Sequence, residues 1–238
     1  MALPQLSVKN FEVRQPSTGE KITLRPFLVS EEKILLQAGE QTNTMVDAMT
    51  QVLSNCIVGQ KLDIDRLPSF DIEYLFLQLR SESVGASVEL MLEHKEGCER
   101  TPAKVNLREI KVHINEDLQN EFLLDKKVGI KMRYPTLEIM NHFANIDEEE
   151  QNQAEMSFEM LKKCIETIYT TDGETHDTAN VSEEELDTFI NSMSSEQFVQ
   201  VQKFFEEMPA VKHVIKVPKC ATCGQAFEQE VQGIQSFF

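Results

Sequence analysis

Two stretches of this chain recur at a fixed separation, and this recurrence restricts the fold more than any other feature of the sequence. Residues 22–27 (ITLRPF) resemble residues 130–135 (IKMRYP), and residues 54–58 (SNCIV) resemble residues 162–166 (KKCIE). The separation is 108 residues in both places, from 22 to 130 and from 54 to 162. A period of this length is too long for a solenoid unit and indicates that one folding unit occurs twice.

A third pair of segments closes each copy. Residues 88–110 resemble residues 214–237, at a separation that has grown to about 126, so the second copy carries extra residues near 170–181. The sequence therefore predicts two pseudo-repeated halves, residues 1–126 and residues 127–238. The alternative is a loose alignment of two generic β-then-α patterns.

Each half is expected to combine small antiparallel β elements with a cluster of helices. Alternating runs at 7–14 and 20–27 flank a turn containing Gly19 and predict an opening hairpin, while the second half opens with one strand at 127–134. Ser182 with Glu185 has the spacing of a capping box and predicts a helix start. The fold class that these patterns predict is α+β.

Apolar side chains at helical spacing predict two buried stripes, one in each half. They are Met45, Met49, Val52, Leu53, Cys56 and Ile57 in the first half, and Phe158, Leu161, Cys164, Ile165 and Ile168 in the second. We expect both stripes to be core, with Cys56 and Cys164 as small buried residues.

Composition excludes several classes of function. Across 238 residues, 23 basic and 40 acidic side chains give a net charge of −17. Such a chain would repel DNA unless its cations were gathered on one face, so nucleic-acid binding is not expected. The charge confers solubility, or alternatively suits a basic protein partner.

The lack of targeting signals and the number of cysteines predict a protein that works in the compartment where it is made. No apolar run approaches the roughly 20 residues of a membrane span, and the first residues lack the pattern of a signal peptide. Five widely spread cysteines do not form a disulfide framework, which fits a reducing compartment.

One motif carries chemical specificity, the Cys-x-x-Cys-Gly sequence that begins at Cys220. It lies between two predicted strands, 212–218 and 226–233, so its turn would direct Cys220 and Cys223 at one metal ion as half of a zinc site. The corresponding turn of the first half offers His94 and Cys98. If the two closing hairpins come together, these four residues would complete a Cys₃His zinc site.

Two alternatives to zinc remain open for the cysteine pair. In the first alternative, the turn of the first half no longer forms a zinc knuckle, and Cys220 and Cys223 are a reduced pair without metal. In the second, Cys220 and Cys223 are a redox dithiol. The redox alternative is disfavoured because thioredoxin-like sites place their cysteines at a helix start, whereas the residues after Cys223 alternate like a strand.

No further catalytic or cofactor-binding signature occurs in the sequence. The phosphate-binding, dinucleotide-binding, HExxH and GxSxG motifs are absent, and the five histidines are scattered without a nucleophile partner. We therefore expect no catalytic residues, no enzymatic activity and no cofactor apart from a structural zinc. The terminal Phe237 and Phe238 are either tucked into the core or anchored in a partner.

Together these features resemble the T-even-type bacteriophage base-plate proteins, and more specifically the hub assembly proteins of contractile-tailed phages. The resemblance rests on the opening hairpin, the Arg-Pro and Arg-Tyr-Pro strand ends, the Cys-x-x-Cys-Gly hairpin and the Gly-Ile-x-x-Phe-Phe tail, and it covers most of the chain. Members of that family carry cysteine pairs in both closing hairpins, whereas the first hairpin here has only His94 and Cys98.

The resemblance implies a non-enzymatic protein that assembles or forms part of the central hub of the baseplate. Its partners would be other tail and hub proteins, met in the host cytoplasm during tail assembly, as a chaperone or as a virion subunit. The alternative from another class is a zinc-knuckle adaptor or regulator that binds a host protein, for which the negative charge would mimic DNA.

Overall fold

The structure is a computed structural model, and it describes residues 6–39, 45–115, 117–144 and 153–234. The described residues form both helices and antiparallel sheets, which confirms the predicted α+β class.

The strands are β1 (Phe11–Arg14), β2 (Lys21–Leu24), β3 (Ser87–Leu92), β4 (Thr101–Asn106), β5 (Lys111–His113), β6 (Glu121–Leu123), β7 (Val128–Met132), β8 (Ile165–Thr170), β9 (Thr175–Asp177), β10 (Ala210–Val217) and β11 (Phe227–Gln232). The helices are α1 (Val29–Gly39), α2 (Met45–Cys56), α3 (Ser69–Ser83), α4 (Leu137–Ala144), α5 (Gln153–Cys164), α6 (Glu183–Asn191) and α7 (Ser195–Glu207).

The chain divides into two compact units. Unit 1 combines Met1–His113 with Ala210–Phe238, and unit 2 is the intervening Ile114–Pro209. Unit 1 is therefore made from both ends of the chain. The predicted halves, 1–126 and 127–238, follow the sequence repeat and differ from this division, and as repeat units they stay a prediction.

The opening hairpin of unit 1 forms as predicted. Strands β1 and β2 pair antiparallel from Phe11 opposite Leu24 to Arg14 opposite Lys21. Gly19 lies in the turn with φ of 72°, a conformation that costs glycine little because it has no Cβ. The inward side chains of β2, Ile22 and Leu24, are buried.

A buried carboxylate ties this hairpin to α3. Asp71 accepts hydrogen bonds from Gln15 Nε2 at 2.7 Å and from the backbone N–H of Ser17 at 2.9 Å, and also from the Ser17 hydroxyl. Burial raises the pKa of Asp71, and these three donors act against that rise. The polar link fixes the turn of the hairpin against the helix, because an unpaired buried carboxylate would be costly.

Two further hairpins close unit 1. Strands β3 and β4 pair antiparallel, and β10 pairs with β11 on one side and with β5 on the other. The order β11-β10-β5 joins the last strands of the chain to a strand from its first half. This long-range pairing brings residues from both ends of the sequence into one unit.

Unit 2 packs α-helices on a four-stranded antiparallel sheet with the order β6-β7-β8-β9. Phe204 of α7 lies at the centre of its core, stacked on Tyr134 with ring centroids 5.3 Å apart and edge-on to Phe122 at 6.3 Å. Ser182 and Ser194 each form a capping box at the start of α6 and α7, which confirms the predicted start at Ser182.

The predicted helical stripe of the second half is wrong at both ends. Phe158, at its start, is 39% exposed and is not a core residue. Helix α5 stops at Cys164, and Ile165 and Ile168 belong to strand β8, which pairs with β7. The spacing of these residues fits a helix, but the run Ile-Glu-Thr-Ile-Tyr-Thr is rich in β-branched and aromatic residues that favour a pleated sheet. Cys164 and Ile165 are nevertheless buried, as expected of core residues, and so is Cys56.

The element order of the two predicted copies corresponds closely. Helices α2 and α5 end at Cys56 and Cys164, 108 residues apart, and strands β4 and β11 begin at Thr101 and Phe227, 126 residues apart. The backbone N–H of Arg25 donates to the carbonyl of Cys56 at 2.9 Å, and that of Arg133 donates to the carbonyl of Cys164 at 2.8 Å. A duplication would produce these matches, and the duplication itself stays a prediction.

Candidate metal centre

The four residues predicted as metal ligands lie together in unit 1. The turn between β3 and β4 carries His94 and Cys98, and the turn between β10 and β11 carries Cys220 and Cys223. One ligand atom from each of the four residues lies within 4.8 Å of every other. The two closing hairpins therefore meet at their turns.

A glycine with positive φ shapes each turn. Gly97 precedes Cys98 with φ of 82°, and Gly224 follows Cys223 with φ of 73°. In the second turn the N–H of Gly224 donates to the carbonyl of Cys220 at 3.0 Å, and the N–H of Cys220 donates to the carbonyl of Gln225 at 2.8 Å. These bonds close a tight loop that turns its cysteine sulfurs toward one point.

Threonine side chains join one turn to the other. The N–H of Glu99 donates to Thr222 Oγ1 at 2.8 Å, and the N–H of Ala221 donates to Thr101 Oγ1 at 3.0 Å. The Thr101 hydroxyl in turn donates to Cys220 Sγ at 3.9 Å. Each turn thus positions the backbone of the other.

An aromatic ring holds the imidazole in place. The ring of His94 stacks on Phe227, the first residue of β11, with centroids 4.6 Å apart and planes inclined by 14°. In this orientation His94 Nδ1 lies 3.3 Å from Cys223 Sγ. The ring nitrogen that faces the sulfurs is therefore Nδ1.

The thiols affect one another's ionisation. Backbone N–H groups of Cys223 and Thr222, with the side chains of His94 and Cys223, lower the pKa of Cys220 to about 5. Burial, and then the neighbouring Cys220 and Cys223, raise the pKa of Cys98 to about 11. A thiolate is therefore favoured at Cys220 and disfavoured at Cys98.

The arrangement offers the ligand set of a structural metal site. Three sulfurs and one imidazole form a closed Cys₃His set, in which four protein ligands leave no coordination position for a substrate or water. The cysteine pair lies between two strands, so no helix N-terminus is present to activate a redox dithiol. Zinc occupancy itself stays a prediction.

The sequence missed the residues that support these ligands. Thr101, Thr222 and Phe227 belong to no metal motif, and only Thr222, inside the Cys-x-x-Cys segment, could have been suspected from its position. Across residues 6–39, 45–115, 117–144 and 153–234, no other group of three or more His, Cys, Asp or Glu is placed to share a metal ion. Phe237 and Phe238, the predicted partner anchors, lie outside the described residues.

A set of four protein ligands is typical of a structural metal site and not of a catalytic one. The chain belongs to the T4 bacteriophage base plate protein family, whose model matches residues 8–238. This match confirms the resemblance to the base-plate proteins, and it makes the protein a structural protein of the phage baseplate. Its place in the hub stays a prediction.

Comparison with curated proteins gives no match, and neither does comparison with solved structures. Among the described helices, none combines the length and apolar character needed to cross a bilayer.

Proposed function

We propose that the protein assembles, or forms part of, the central hub of the phage baseplate through protein–protein contacts and without catalysis. The observation that carries this proposal is the match of the base plate family to residues 8–238. The partners proposed are other baseplate and tail proteins.

The chemistry of the described residues supports a role without catalysis. Cys56 and Cys164 are buried, and burial raises their pKa values to about 11 and about 12, so neither is an activated nucleophile. The ligand cluster of unit 1 is closed to substrate. Contact with other proteins through the exposed surface is the role that we propose instead.

Helix α1 provides a candidate contact surface in unit 1. Val29 is 80% exposed and Leu36 is 69% exposed, and their separation of seven residues puts them on the same helix face. Leu28, just before the helix, is also exposed. We propose that these three residues, the α1 apolar face, contact a neighbouring hub protein, whose basic groups would complement the net charge of −17.

The proposal is tested by recovering a tagged copy from phage-producing cells and identifying the co-purifying proteins by mass spectrometry. Hub or tail proteins should be recovered with the unaltered chain and lost with the double variant Val29→Glu, Leu36→Glu. Gln37→Glu is the matched control, because it adds a negative charge at an exposed position of the same helix.

The same experiment identifies the competing outcome. Recovery of host polymerase without tail proteins would overturn the hub assignment in favour of a host-binding adaptor. Mass spectrometry of purified virions then distinguishes a permanent subunit from a chaperone that acts only in the host cytoplasm.

A further inference from the structure

We propose that His94, Cys98, Cys220 and Cys223 bind a single Zn²⁺ ion that fastens the β3–β4 hairpin to the β10–β11 hairpin. The proposal rests on the convergence of the four side chains, whose ligand atoms all lie within 4.8 Å of one another. It is independent of the proposed hub function, because it concerns only how unit 1 is held together.

The separation of the ligand atoms fits a tetrahedral zinc site after a small contraction. Zn–S bonds of about 2.3 Å place the sulfurs of a tetrahedral site about 3.8 Å apart. The upper limit of 4.8 Å for the separations here exceeds that sulfur–sulfur distance by about 1 Å. Cys223 Sγ and His94 Nδ1 are already 3.3 Å apart.

The surroundings of the cluster are those of a built site. Ligands of a metal are oriented by hydrogen bonds and packing from neighbouring groups. Thr101 contacts Cys220 through its hydroxyl, and Phe227 stacks on the ring of His94. Thr222 accepts the N–H of Glu99 across the two turns. Cys220 is fully buried, and the other three ligands are reached from solvent to different extents.

The ligand chemistry selects zinc over the commoner cellular cations. Mg²⁺ and Ca²⁺ prefer oxygen ligands, whereas thiolate and imidazole suit zinc, and a closed tetrahedral set with three sulfurs is typical of structural zinc. Binding releases the protons of those thiols that are still protonated, and it leaves the ion without a water ligand. The ion is therefore assigned a structural role and takes part in no reaction.

A bound ion would close unit 1 across a long interval of sequence. His94 and Cys223 are 129 residues apart, and unit 2 lies entirely within that interval. Zinc would hold the two chain segments of unit 1 together after the chain has passed through unit 2. This cross-link is the consequence that distinguishes the site from an empty cysteine pair.

The test is metal analysis of the full-length, tag-free protein purified under reducing conditions without chelators. We expect one zinc per chain by plasma mass spectrometry, and Co²⁺ substitution should give the intense visible bands of a tetrahedral cobalt–thiolate centre. Cys223→Ser and His94→Gln should lower the zinc affinity at least tenfold. His176→Gln, at an exposed histidine of unit 2, and Cys56→Ala are the controls and should retain one zinc.

A further variant separates loss of metal from failure to fold. His94→Cys keeps four ligands and should retain one zinc, with an increased sulfur-to-cobalt charge-transfer absorption. Chelator treatment of the unaltered protein should lower its melting temperature, and added zinc should restore it.

Two results would overturn the proposal. One is the absence of zinc from the reduced protein together with no cobalt spectrum, whether the cysteine pair is then free or joined as a disulfide. The other is an unchanged zinc affinity in Cys223→Ser. Neither result bears on the hub assignment, which is decided by the co-purifying proteins.

Discussion

Glu73 gives unit 1 a pH-dependent stability whose sign and size follow from its position. It lies on α3, partly buried, and its carboxylate accepts the backbone N–H of Ile234 near the end of the described chain. Burial raises the pKa of Glu73 from 4.5 to about 7, and the Ile234 N–H opposes only part of that rise. The neutral acid is therefore the form that suits the folded protein.

The direction of the effect follows from proton linkage. Because the folded pKa is above the unfolded one, the folded state binds the extra proton between these values. The contribution of Glu73 to stability is fully present below about pH 4.5 and is lost as the pH rises through about 7. At about 1.36 kcal/mol per pH unit, the interval from 4.5 to about 7 corresponds to roughly 3 kcal/mol.

The variant Glu73→Gln removes the ionisation of residue 73 but keeps its hydrogen bond, because the amide oxygen can still accept the Ile234 N–H. We expect the variant to be more stable than the unaltered protein by roughly 3 kcal/mol at pH 8 and equal to it at pH 4.5. Since the chain forms two compact units, the assay is hydrogen–deuterium exchange of α3 peptides, which reports unit 1 alone. Glu20→Gln, at an exposed position of the same unit, is the control and should change stability by less than about 0.5 kcal/mol.

The reasoning would be refuted if Glu73→Gln gave no added protection at pH 8. It would equally be refuted by the same gain in stability at both pH values, since a gain that is independent of pH cannot come from ionisation of Glu73.

Three further substitutions probe single interactions. Glu31→Gln removes the charge of a carboxylate that accepts from Arg25 through both oxygens, and it should destabilise unit 1 by about 1.5–3 kcal/mol in urea unfolding at pH 7. The Arg25 hydrogen bond lowers the pKa of Glu31, so this loss should fade as the pH falls below 4.5 and through the folded pKa. Phe204→Ala removes the ring stacked on Tyr134 and should cost about 3–5 kcal/mol, with loss of the near-ultraviolet circular dichroism of unit 2. Ser182→Ala opens the capping box of α6 and should cost about 1 kcal/mol by urea unfolding.

Features governed by local chemistry could be predicted from the sequence. The turn at Gly19 and the helix start at Ser182 each depend on residues within a few positions of one another, and both form as expected. The prediction failed at β8, because Ile165 and Ile168 fit a helical spacing that outweighed the β-branched and aromatic residues of the run, whereas pairing with β7 makes the segment a strand. The β10–β5 pairing depends on residues about 100 positions apart, for which the sequence offers no local signal.

The candidate metal centre could likewise be predicted only in part from the sequence. Cys220 and Cys223 are recognisable from their spacing alone, whereas His94 and Cys98 could be proposed only because the repeat placed their turn opposite the cysteine turn. The stacking of Phe227 on His94 joins two hairpins and has no sequence signature.

The two closing hairpins share the proposed metal ligands, and both lie in unit 1. Each turn supplies two of the four ligands, so neither hairpin alone could complete a tetrahedral zinc site. The β10–β11 hairpin follows unit 2 in sequence but folds in unit 1, where β5 is its strand partner. If zinc adds a second fastening at the turns, Cys223→Ser should speed hydrogen–deuterium exchange in β10 and β11 at least tenfold while the helices of unit 2 exchange as before. An unchanged rate in β10 and β11 would mean that pairing with β5 suffices and that the ion contributes nothing to holding the hairpin.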